Sequence, residues 1–181
     1  MTALLALLLL TTPQGEPRPA IVPEIVAEAD GTRTLRMETV VGATADKAWT
    51  MIATPEGWRR WAAPVARVVP GEEDMLETSY AEDAKPGDAT TIRQHFVAWI
   101  PGRMLAFRTV KAPEGFPHFE TYKKVITVIE LSPAGEGRTR IALTAVNYPD
   151  DAAGRALLDF FRKGNAETLV KLRDALEASD D

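Results

Sequence analysis

The stretch RTRIALTAVNYPDDAAGRALLDFFRKGNAETLVKLRDALEA, residues 138–178, changes its apolar period once. Up to Tyr148 it alternates, with Ile141, Leu143, Ala145 and Asn147 on one side and Arg140 on the other, the two-residue period of a half-buried strand. From Asp150 and Asp151 onward, Leu157, Phe160, Phe161, Leu169, Leu172 and Leu176 fall along one side of a helix, and Arg155, Arg162, Lys171 and Arg173 along the other. A helix running to Ala178 spans about 40 Å, whereas a strand of nine residues reaches only about 30 Å. Such a helix must cross a sheet obliquely or overhang it.

Working upstream, Thr34 to Val41 alternates and Gly42 ends the run. Thr44 is a candidate N-cap for a helix carrying Ala48, Trp49, Ile52 and Ala53, and Pro55 suits the first turn of a second short helix that carries Trp58 and Trp61. Strand patterns then follow at 65–69, 75–80, 90–100, 103–110, 122–131 and 138–148, divided by turn residues such as Pro101-Gly102 and 133–137. The order of one strand, two short helices, six strands and a long helix predicts an α+β fold in which a curved antiparallel sheet wraps around the long C-terminal helix. Side chains do not easily fill the space between such a sheet and helix, so a ligand cavity is expected there.

The chain has 181 residues, no cysteine, 45% hydrophobic and 26% charged residues, which fits one globular domain and excludes thiolate zinc sites and a disulfide-stapled miniprotein. A net charge of −5 argues against nucleic acid as a partner. Residues 1–12 contain the apolar run Leu4 to Leu10, read as a signal-peptide core, and 13–31 read as a Pro-rich linker before a domain at 32–179. The apolar run is shorter than the roughly 20 residues a membrane-spanning helix needs, so no integral membrane span is expected. The expected location is periplasmic or secreted, with cytoplasmic as the alternative. No cofactor is expected, because the chain carries neither a dinucleotide-binding glycine loop nor a P-loop pattern. Metal binding is not expected either, since the two histidines, His95 and His118, match no zinc spacing.

Four segments, VVGATADKAW (40–49), PEGWRRWAAP (55–64), WIPGRMLAF (99–107) and GRTRIALT (137–144), together resemble the START-like superfamily, also called SRPBCC. It groups birch-pollen-allergen proteins, polyketide cyclases and lipid-transfer START domains, and the nearest likeness is to homologues of the heat-shock ATPase activator. The resemblance covers about residues 33–178. It implies a helix-grip fold with a deep apolar cavity that takes lipids, sterols, polyketides or other hydrophobic small molecules; it does not imply one reaction.

Candidate cavity residues come from strand parity. With Glu77 placed outside, Leu76, Thr78 and Tyr80 point in, and with Arg140 outside, Ile141, Leu143, Ala145 and Asn147 point in. Both faces of 90–100 are partly apolar; the superfamily's spacing before the Pro-Gly turn favours Arg93, His95, Val97 and Trp99 inward, with Leu105, Phe107 and Thr109 joining them from the next strand. The other register sends Ile92, Phe96 and Ala98 inward, and a bulge can switch the two. Trp58 and Trp99 either line the cavity or pack as plain core; Phe160 and Phe161 face it from the helix. His118, beside Glu120, is either a gate over the mouth or an ordinary loop residue. The leading expectation is binding of a hydrophobic small molecule or lipid without a strong catalytic signature. The first alternative is a cyclase or dehydratase in which His95 moves a proton and Arg93 stabilises an enolate. A further alternative is a co-chaperone-like module that binds a protein partner.

Overall fold

The computed structural model describes residues 18–178; the signal-peptide reading at 1–12 lies outside them. Eight strands form one wholly antiparallel sheet: β1 (Glu24–Ala27), β2 (Thr32–Val41), β3 (Val65–Val69), β4 (Glu72–Ser79), β5 (Ile92–Ile100), β6 (Met104–Lys111), β7 (Ile126–Pro133) and β8 (Thr139–Pro149). Their spatial order is β1-β2-β8-β7-β6-β5-β4-β3, so β2 pairs with β8 and the two helices that follow β2 bridge to the opposite edge. Those helices are α1 (Ala45–Ala53) and α2 (Pro55–Trp61); α3 (Phe119–Tyr122) is a single turn, and α4 (Ala152–Glu177) is the long C-terminal helix. This is the α+β helix-grip arrangement expected from the order of periods.

Three of these helices, α1, α2 and α4, start where a short polar side chain satisfies an otherwise free amide. The Thr44 hydroxyl accepts from the Lys47 amide, the Thr54 hydroxyl accepts from the Gly57 amide, and the Asp151 carboxylate accepts from the Gly154 amide at 2.8 Å. Pro55 sits in the first turn of α2, where its missing N–H costs nothing. The buried face of α4 consists of Leu157, Leu158, Leu169, Leu172 and Leu176, packed against Leu35, Met37, Ile141 and Ala145 of the sheet. Between Leu158 and Leu169 the helix buries no large side chain completely, and there the space beneath it stays open.

The linker reading of 13–31 is corrected over the described residues from Arg18 on. Glu24–Ala27 form an edge strand on β2, Ile21 packs against the core, and Arg18 pairs with Asp174 (2.6 Å) and Glu177 (3.2 Å) on α4. Arg173 ties the same segment down by donating to the Pro19 carbonyl. The prolines hide this in the sequence: Pro23 precedes a strand of only four residues, which suits an edge but leaves too short an alternation to read.

The polar loop between β4 and β5 lies on the outer face of the sheet, fastened by charge. Glu77 is 1% exposed; its carboxylate accepts from Arg67 Nε (3.0 Å), Arg93 Nε (2.8 Å) and the Gly87 amide (3.1 Å). Arg67 also donates to the Ala84 carbonyl, and Lys111 Nζ donates to the carbonyls of Gly87 and Asp88. Arg67, Glu77 and Arg93 are direct cross-strand partners on β3, β4 and β5, so they share one face by construction.

Candidate functional site

A cavity of about 320 Å³ lies between the inner face of the sheet and the middle of α4. That is the lower end of the range usual for small-molecule pockets, about 300–1,000 Å³. All three tyrosines of the chain, four of its six phenylalanines and two of its four tryptophans line it. Among the described residues no Asp, Glu, Lys, Arg or His side chain does.

The wall nearest α2 is built by Trp58, Trp61 and Phe107, with ring centroids 5.1 Å apart for the first pair and 5.6 Å for Trp58 and Phe107. Both indole N–H groups are used up on the end of α1: Trp58 Nε1 donates to the Ile52 carbonyl (2.7 Å) and Trp61 Nε1 to the Met51 carbonyl (2.9 Å). The tryptophans therefore offer the cavity apolar ring surface. The opposite wall is a cluster of Phe116, Tyr122, Phe160 and Phe161, in which Tyr122 stacks on Phe161 at 4.4 Å and 19°. Phe160 (61% exposed) and Tyr80 (69%) rise at the surface beside Pro113 and Phe116, and these side chains frame the mouth.

Polar groups line the cavity from both sides, Gln94, Thr109 and Thr127 on the sheet and Asn165 and Thr168 on α4. Gln94 on β5 pairs directly with Thr109 on β6; Gln94 Nε2 donates to Thr78 Oγ1 at 3.4 Å, and Thr109 lies beside the Tyr122 phenol. Burial pushes the Tyr122 phenol up to about 12, with the Thr109 hydroxyl opposing and the nearby Tyr80 phenol adding to the rise. Burial likewise raises Tyr148, with Tyr122 adding to it. Both phenols stay protonated and neutral at physiological pH, so they act as hydrogen-bonding groups rather than as bases. Gln94 Oε1 is buried and has no partner.

Of the sequence candidates, Trp58, Tyr80, Phe107, Phe160 and Phe161 line the cavity. Thr78 does not; it is buried behind Gln94 and orients that side chain. Arg93 and His95 are corrected: both lie on the outer face, Arg93 against Glu77 and His95 Nε2 at 3.0 Å from Asp74 Oδ2. The cavity-lining residues of β5 are Ile92 and Gln94, and Phe96 packs against the core, as in the other register. A register shift between Phe96 and Ala98 then leaves Val97 exposed, and Trp99, near the hairpin end, is 54% exposed and outside the cavity lining. Asn147 is corrected too. Its φ of 70° is left-handed, a conformation asparagine tolerates, and the resulting bulge turns Tyr148 inward in its place. His118 is exposed in a left-handed conformation, and Glu120 pairs with Lys123 instead of with its imidazole.

Strand parity therefore missed Gln94, Phe116, Tyr122 and Tyr148. One signal for Gln94 was present in the sequence: Arg67, Glu77 and Arg93 satisfy one another only on a common face, and placing Glu77 outside would have carried Arg93 outside with it. As a consequence, a His95→Ala variant is expected to keep ligand affinity within about twofold, the usual range for a surface change; equilibrium titration with any bound ligand checks this, and a tenfold loss would return His95 to the site.

A sheet gripping a long helix around an uncharged, aromatic-lined interior defines a helix-grip domain of the ligand-binding START-like class. The sequence pattern described as polyketide cyclase/dehydrase and lipid transport matches residues 32–178, and the chain belongs to that family. Among solved structures it is similar to the Aha1 dimer from Colwellia psychrerythraea (TM-score 0.61, 16% identity, 82% of this chain and 98% of that one). It is also similar to XoxI from Bacillus cereus (TM-score 0.62, 13% identity, covering 79% and 94%) and to CalU16 from Micromonospora echinospora (TM-score 0.57, 17% identity, covering 88% and 86%). At these identities the likeness is one of fold. No curated protein matches the sequence.

Proposed function

We propose that this protein binds a compact, neutral, hydrophobic small molecule with ring character in the cavity under α4. The observation that carries the reading is the lining itself: aromatic on two walls and without a single charged side chain. A buried carboxylate or phosphate on the ligand would meet no cation there, and burying an unpaired charge is strongly unfavourable. The size of the space favours a molecule of about two or three rings over a diacyl lipid. Catalysis through His95 and Arg93 is not part of this reading, because the sheet stands between them and the cavity.

Native mass spectrometry of the protein purified from its own cells tests the reading, with denaturation to release and identify any adduct. Leu143 lies on the inner face of β8 and lines the cavity. A Leu143→Trp variant, which fills that space at a stability cost of about 1–3 kcal/mol, is expected to remain folded and to lose the adduct. Retention of the same adduct by a folded Leu143→Trp protein would place the ligand elsewhere.

A further inference from the structure

Tyr148 is the most deeply buried of the three phenols that line the cavity, 1% exposed against 69% for Tyr80 at the mouth, with Tyr122 between them. Its inward direction depends on the bulge at Asn147, whose φ of 70° is left-handed. Such backbone is unfavourable for most residues and concentrates at ligand-binding and catalytic sites. A phenylalanine at 148 would fill the same space; the tyrosine adds a hydroxyl that has no hydrogen-bond partner among the described residues. Unlike Gln94 Oε1, that hydroxyl is not sealed by its neighbours, and it opens into the cavity. Burial and the neighbouring Tyr122 phenol both raise Tyr148, so its O–H keeps its proton and stays a donor at physiological pH. Tyr80, Thr127 and Asn165 also line the cavity without a hydrogen bond among the described residues, but none of them is fully buried. Water can serve the Tyr148 hydroxyl while the cavity is open; a ligand that displaces water has to supply the missing acceptor or leave the group unmatched.

Resting on the proposal that the cavity takes a neutral ring compound, we infer that Tyr148 makes it selective for one that carries a carbonyl oxygen, a ketone or quinone, accepting a hydrogen bond from Tyr148 Oη. An acceptor is favoured over a donor by the chemistry of phenol: conjugation draws the oxygen lone pair into the ring, so the group donates strongly and accepts weakly. A carboxylate is the stronger acceptor, but its charge would be buried with no cation in the lining among the described residues. A hydrocarbon of equal shape would displace water and leave the O–H without a partner. Asn165 carries both donor and acceptor atoms and does not decide between the two. Tyr148 is thus a specificity residue, while Trp58, Phe107 and Phe161 supply ring contact to either kind of ligand.

The test uses one bicyclic frame in three forms: tetralin, 1-tetralone, in which a ring CH2 becomes C=O, and 1-tetralol, in which the same carbon bears a hydroxyl. The native protein is titrated with each at neutral pH and binding is followed by calorimetry. 1-Tetralone is expected to bind about fivefold more tightly than tetralin, the size of effect a single buried hydrogen bond produces, and 1-tetralol no more tightly than the ketone. In Tyr148→Phe, which removes only the hydroxyl, the preference for the ketone over tetralin is expected to disappear, with tetralin held within about twofold of its native affinity. Equal affinity of the native protein for the ketone and the hydrocarbon, or tighter binding of the alcohol than of the ketone, overturns the carbonyl preference but leaves the cavity reading in place. A preference that survives in Tyr148→Phe overturns the role of Tyr148. Failure of all three probes to bind the native protein overturns the cavity reading and this inference together. The comparison in the native protein stands by itself if the variant does not fold.

Discussion

Replacing Glu77 by alanine is expected to destabilise the fold by about 3 kcal/mol, the lower end of the range for removing one partner from a buried ion pair. The carboxylate is enclosed and accepts from two guanidinium groups and a backbone amide, so its loss leaves Arg67 and Arg93 facing each other over an emptied site. The guanidinium groups keep some contact with water, with side chains 28% and 30% exposed, which moderates the loss. Urea unfolding of the native and variant proteins measures it; a difference under about 1 kcal/mol would mean that the network is no stronger than an ordinary surface pair. Acid dependence gives an independent reading. Burial alone would raise the Glu77 carboxyl, but the bonds from Arg93, Gly87 and Arg67 outweigh it and hold the folded-state value below the ordinary 4.5. A depressed carboxyl contributes stability that is fully present above its unfolded-state value and is lost as pH falls through the folded-state value. Native stability should therefore decline below about pH 4.5, and a Glu77→Gln variant should decline less over the same interval.

The second large effect concerns Gly57 in the first turn of α2. In an exposed helix, glycine to alanine is stabilising by about 1 kcal/mol. Here the sign reverses, because a methyl group at Gly57 would overlap the backbone of Met51, where α2 meets the end of α1. Relieving that overlap requires the two helices to part, and the same carbonyl region holds the indole N–H groups of Trp58 and Trp61. Overpacking together with two loosened buried hydrogen bonds predicts a loss of about 3 kcal/mol or more for Gly57→Ala. Thermal unfolding checks the magnitude, and a red shift in tryptophan emission reports that the indoles have moved. Because both tryptophans form a cavity wall, ligand affinity should fall in the same variant. A Gly57→Ala protein as stable as the native one would show that the helices separate at little cost.

The two effects concern opposite faces of the same sheet. Outside, Arg67, Glu77, Arg93 and Lys111 concentrate charge and fasten the loop between β4 and β5. Inside, ionisable groups other than tyrosine are absent from the lining, and the polar atoms present are amide, hydroxyl and phenol. This division is what makes the interior suitable for a neutral guest. It also explains why Arg93 and His95, the two residues on β5 with the most obvious chemistry, are unavailable to one.

How much of this could be read from residues alone depends on whether a local pattern was unambiguous. In β8, Ile141, Leu143 and Ala145 alternate cleanly with Arg140, and their inward direction follows at once. In β5 the run Ile92-Arg-Gln-His-Phe-Val-Ala-Trp-Ile100 has apolar residues at both parities, so local alternation does not choose between two registers. The choice comes from outside the strand, from Glu77 across the β4 ladder, and the register shift between Phe96 and Ala98 then changes the assignment partway along. At Asn147 a single left-handed residue has the same consequence, moving Tyr148 to where simple alternation places its neighbour.

The order of periods, the cap at Thr44, Pro55 in the first turn of the second helix and the helix start at Asp150-Asp151 determined by themselves that this chain folds as a sheet around a long C-terminal helix, with two short helices after the Thr32–Val41 strand. These are local properties, written within a few turns of helix or a few residues of strand. Only the tertiary structure decided which side chains meet in the cavity. Gln94, Thr109 and Tyr122 come from two strands and a one-turn helix, and Glu77 is buried by residues ten and sixteen positions away in the chain. Contacts of that kind exist only once the ladders have paired, because the position of each side chain is set by its partner strand as well as by its own neighbours.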